Sequence, residues 1–61
     1  MEGYMMVWLS YTELKDYRRG RPAEGFTVGG SSLIQVAVPL EYVFDLEELE
    51  DCYLVTIHLD K

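Results

Sequence analysis

The chain has one cysteine, Cys52, and one histidine, His58. A single thiol cannot close an internal disulfide, and one Cys with one His cannot complete a Cys/His zinc site. Basic residues are scarce: five Lys and Arg stand against eleven Asp and Glu, a formal net charge of −6. No stretch approaches the ~20 apolar residues of a membrane-spanning helix. The N-terminus carries Glu2 instead of a positive region, and its apolar run is short for a signal peptide. A soluble, cytoplasmic protein without membrane contact is therefore expected. Nucleophile-elbow, P-loop and Rossmann fingerprints are also missing. Gly29-Gly30 runs into Ser31-Ser32 with no Gly-Lys-Ser/Thr after it, so it reads as a turn and not a phosphate cradle. The expectation is no enzyme: no catalytic residue, no cofactor and no bound metal.

What is present is a single small domain, residues 1–61, with 49% hydrophobic and 26% charged residues. That balance is ordinary for a folded chain and too apolar for a disordered acidic tail. A domain this short buries only about 60% of its unfolded surface, so its core is marginal. Without a disulfide or zinc, self-association or a bound partner is the remaining staple, and a homo-oligomer is expected.

Tyr4 to Leu9 reads as a strand, apolar on both faces, which implies cover on both sides or an interface. Ser10 follows as an N-cap, with Glu13 at the capping-box position and Leu9 and Leu14 placed for a hydrophobic staple. A short helix is predicted over Tyr11 to Arg19, with Arg18 and Arg19 at the negative end of its dipole and Gly20 terminating it. Phe26 to Val28 reads as a short strand leading into a Gly29-Gly30 hairpin turn.

From Ile34 to Phe44 every even position is apolar (Ile34, Val36, Val38, Leu40, Tyr42, Phe44), the mark of a half-buried strand. Pro39 puts that strand at an edge or a bulge; two shorter strands meeting at Pro39 are the alternative. Residues 45–51 read as a loop or one helical turn, with Asp45 as cap and Glu48 at the capping-box position. Cys52 to Leu59 alternates again and is predicted as a final strand, antiparallel to its predecessor. The fold class is α+β: a small antiparallel sheet, β-α-β-β-β, with one short helix packed on one face. Leu33, Val43, Cys52 and Leu54 are expected on the uncovered face, which would be a dimer contact.

The layout of charge is more informative than its sum. Four of the five bases are Lys15, Arg18, Arg19 and Arg21, and no Lys or Arg occurs from Pro22 to Asp60. That stretch holds Glu24, Glu41, Asp45, Glu47, Glu48, Glu50, Asp51 and Asp60. Carboxylates crowded between Glu41 and Asp51 repel nucleic acid and attract a basic surface. A protein that grips DNA offers such a surface, because it neutralises phosphates with Lys and Arg. The expected partner is therefore a protein with a basic surface, of the nucleic-acid-binding kind, with no direct nucleic-acid contact by this chain. The partner-binding residues would be Glu41, Asp45, Glu47, Glu48, Glu50 and Asp51, with Tyr42 and Tyr53 as aromatic anchors. The alternative is an accessory or antitoxin-like homo-oligomer whose acidic loop only solubilises.

Three other groupings read as structural. The bases with Tyr11 and Tyr17 resemble a nucleic-acid patch, but they also complement the helix dipole. Asp45, Glu47 and Asp51 suggest a calcium loop, yet Glu50 stands where the loop needs Gly. Cys52 and His58 lie ~20 Å apart along one strand, too far for a catalytic pair. Cys52 reads as a small apolar filler and His58 as a polar residue on the strand's second face. In size and charge the chain resembles the small acidic inhibitors of phages and mobile elements, such as anti-CRISPR, anti-restriction and uracil-DNA glycosylase inhibitor proteins. That resemblance implies inhibition by DNA mimicry; it aligns no residues.

Overall fold

The computed structural model describes residues 3–59. Glu2 and Asp60, named above, lie outside them. Five strands form one antiparallel sheet: β1 (Tyr4–Leu9), β2 (Ala23–Phe26), β3 (Ile34–Pro39), β4 (Val43–Glu48) and β5 (Tyr53–Ile57). Their spatial order is β3-β1-β2-β5-β4. One helix, α1 (Tyr11–Arg18), follows β1 and packs against β1 and β2. The α+β class, with one helix on one face of an antiparallel sheet, is what the alternation predicts.

The helix forms where its capping residues place it. Ser10 has extended φ/ψ, and its hydroxyl accepts the Glu13 N–H at 3.2 Å. The second half of the capping box is absent. The Glu13 carboxylate instead accepts the Glu24 N–H at 2.8 Å, tying the helix to β2. At the other end Arg21 N–H reaches the Asp16 carbonyl and Gly20 N–H the Tyr17 carbonyl. These are the two bonds of a Schellman cap, closed by Gly20 at φ +78°.

Period-2 alternation sorts the sheet into two faces. Val7 and Leu9 of β1, Val38 of β3, Ala23 of β2 and Val55 and Ile57 of β5 are buried under Leu14 of the helix. Their register confirms one face: Val7 opposes Val36, Met5 opposes Val38, Ala23 opposes Ile57 and Gly25 opposes Val55. The helix covers β1 and β2, so this face thins toward the outer strands.

Several details differ from the sequence reading. The run from Ile34 to Phe44 is two strands, β3 and β4, separated by a 3-10 turn at Leu40–Tyr42 directly after Pro39. Alternation survives the break because Ile34, Val36 and Val38 share the core face, whereas Leu40 and Tyr42 lie in the turn and Phe44 at the bulge between Val43 and Asp45. Residues 45–51 are neither loop nor helical turn as a whole: β4 continues to Glu48, in register with Tyr53. Asp45 therefore caps nothing; it opposes Thr56. The short strand is Ala23–Phe26, not Phe26 to Val28. Gly29-Gly30 is not a hairpin turn, because β1 and not β3 lies beside β2. Gly29 passes over the Trp8 indole so closely that a Cβ would stand 2.8 Å from three ring carbons. Val43 opposes Ile57 and packs on the core, so it does not line the uncovered face.

Candidate functional site: an acidic edge strand

β4 is an outer strand of the sheet, paired on one side with β5. Because a strand alternates its side chains, the acids of β4 divide between the faces. Asp45 and Glu47 oppose Thr56 and Leu54 on the open face; Glu48 opposes Tyr53 on the helix side. The turn to β5 is closed by Leu49 N–H donating to the Cys52 carbonyl at 2.8 Å, which puts Glu50 and Asp51 at the tip. Every one of these carboxylates is exposed. Asp45, Glu47 and Glu48 fall within ~10 Å of strand, a linear charge density of the same order as one DNA strand, with a phosphate per ~3.4 Å.

The sequence-predicted site residues do not all meet here. Asp45, Glu47, Glu48, Glu50, Asp51 and Tyr53 lie along β4, the hairpin tip and the start of β5. Tyr53 is exposed, and Thr27 holds it: the Thr27 hydroxyl accepts the Tyr53 N–H at 2.9 Å, and Thr27 N–H donates to the Tyr53 carbonyl. Glu41 is exposed but sits in the 3-10 turn, at the opposite end of β4 from the hairpin. Tyr42 is half-buried and packs against the core, so it is a support and not an exposed anchor. Beside it the Tyr17 hydroxyl is pushed above its usual pKa, first by burial and then by the nearby Tyr42.

An extended strand also explains why so many acids make no ion cage. Among the described residues no three His, Cys, Asp or Glu side chains converge on one point. His58, read from the sequence as a polar residue on the second face, has partners: its Nε2–H donates to the Gly20 carbonyl at 2.9 Å, and its ring meets Phe44 edge-on with the centroids 5.8 Å apart. It fastens the end of β5 to the C-terminus of the helix. Lys15, Arg18, Arg19 and Arg21 lie in the helix or just after it, with Lys15 Nζ 5.4 Å from the centre of the Tyr11 ring.

The sequence reading did not assign the open face of β1. Tyr4 and Met6 are exposed there, Trp8 is half-buried, and Phe26 of β2 lies across from Trp8. The signal was the apolar run on both parities of Tyr4 to Leu9. It marked two occupied faces without saying which one the helix would take.

No protein-family model, curated protein or solved structure matches this chain. Among the described residues no helix is long and apolar enough to cross a membrane.

Proposed function

We propose that this protein binds the basic, phosphate-gripping surface of a nucleic-acid-handling protein and inhibits it by occupying that surface. The observation that carries the reading is the gathering of exposed carboxylates on one outer strand and its hairpin, with no Lys or Arg on β3, β4 or β5. Asp45, Glu47, Glu48, Glu50 and Asp51 would stand where phosphates stand, and Tyr53 would add aromatic contact beside them. Carboxylates on a paired strand are already ordered, so less entropy is lost on docking than for a flexible acidic tail.

The test is affinity capture from a host lysate with wild type and with a Glu47→Lys, Glu48→Lys, Glu50→Lys variant, each at several salt concentrations. A nucleic-acid-binding protein retained by wild type, lost by the variant and eluted by salt supports the proposal. A partner held equally well by both proteins overturns it.

A further inference from the structure

The two outer strands of the sheet are opposites. β4 carries the acids described above and a bulge, both devices that keep an edge from pairing. β3 carries neither: no charged residue lies between Glu24 and Glu41, and β3 keeps unbroken register with β1 from Ile34 to Pro39. Leu40 N–H donates to the Gly3 carbonyl at 3.0 Å. By alternation the backbone groups of Val38, Val36 and Ile34 also face β1, and those of Gln35 and Ala37 face outward. Pro39 belongs to the outward set, so its missing N–H costs no bond to β1. The helix packs on β1 and β2, which leaves this edge clear.

We infer that β3 pairs antiparallel with β3 of a second copy about a two-fold axis at Val36. Gln35 of each copy then opposes Ala37 of the other, and the two pairs exchange four N–H···O=C bonds. Val36 meets its own counterpart, and Ile34, 40% exposed in one copy, lies against Val38 across the new seam. The charge layout selects this occupant. Pairing β4 with β4 sets like charges side by side, and pairing β3 with β4 sets Glu48 against the Ile and Val side chains of the helix-side face with no base to meet it. Only β3 with β3 avoids both, and it closes: the ten-stranded sheet ends on an acidic β4 at each side, which stops further growth. At ~4.8 Å per strand the two acidic edges stand ~43 Å apart.

Sedimentation over a wide range of protein concentration, with amide hydrogen exchange by NMR, tests this on the intact chain. The expected result is a reversible species of twice the 7.1 kDa chain mass, with Gln35 and Ala37 amides increasingly protected as it forms. Ala37→Pro removes an outward N–H from each copy and should weaken association roughly tenfold or more. The triple reversal on β4 and its hairpin should leave the dimer intact, so a dimer that binds no basic partner sinks the proposed function alone. A monomer at all concentrations overturns the inference. So does a dimer in which the Gln35 and Ala37 amides exchange freely, as one assembled through the open face at Trp8 would show. Open-ended polymers would mean β3–β4 pairing and overturn it as well. Because the exchange measurement uses wild type, it decides the matter even if Ala37→Pro does not fold.

Discussion

Two glycines separate the demands of space from those of backbone angle. Gly25 is buried where β2 pairs with β1: a Cβ there would stand 2.5 Å from Leu9 Cδ2 and 2.6 Å from the Trp8 carbonyl oxygen. The carbonyl belongs to β1, paired on both sides, and cannot yield alone. Gly25→Ala should destabilise by about 3 kcal/mol through overpacking, enough to unfold much of so small a domain in a denaturant titration. Gly20 has open space around it and a φ of +78°. Gly20→Ala should therefore cost only about 1 kcal/mol, the left-handed backbone penalty. Equal losses at the two positions would contradict this assignment. Tyr17 adds a pH effect. Its folded pKa lies above the unfolded value of 10.0, so the unfolded chain loses this proton first. Stability should be level below pH 10 on this account and fall as pH rises above it. Tyr17→Phe should flatten that alkaline limb, read from urea midpoints at a series of pH values.

At the scale of the element, β4 holds its place by backbone pairing to β5 and by Val43 on the core, not by its carboxylates. The Glu47→Lys, Glu48→Lys, Glu50→Lys variant should keep the native circular dichroism and change stability by no more than about 0.5 kcal/mol per position, the usual range for exposed residues. Loss of the fold would mean that the acids are structural. α1 depends on its caps more than β4 depends on its charges. Ser10→Ala should cost about 1 kcal/mol, because an eight-residue helix is too short to persist without them. The helix caps were legible in the sequence because a cap is local: Ser10, Glu13 and Gly20 need only their neighbours in the chain. The division of Ile34 to Phe44 was legible only as an alternative, because Pro39 permits an edge, a bulge or a break equally well. The Glu13 bond to Glu24 was not legible at all. It joins residues that only packing brings together.

The described residues span 27 × 25 × 16 Å, so most of their charges lie within the ~30 Å screening length at 10 mM salt. A net charge of −6 on that volume opposes the compact state. Raising sodium chloride from ~10 to ~150 mM, where the screening length falls to ~8 Å, should raise the urea midpoint modestly. Any basic partner should bind more weakly over the same range. A midpoint that falls with salt would mean that attraction between the basic helix end and the acidic edge outweighs the repulsion.

Periodicity and capping, properties of neighbouring residues, determined the helix, the β character of the rest and the gathering of charge between Glu41 and Asp51. The tertiary structure decided which strands became edges. The order β3-β1-β2-β5-β4 put the acidic segment on one outer strand and the uncharged segment on the other. Pairing order depends on contacts between residues distant in the chain, which no local pattern encodes. It turned a crowded run of acids into an exposed row of carboxylates, and a plain apolar strand into an edge with hydrogen bonds to offer.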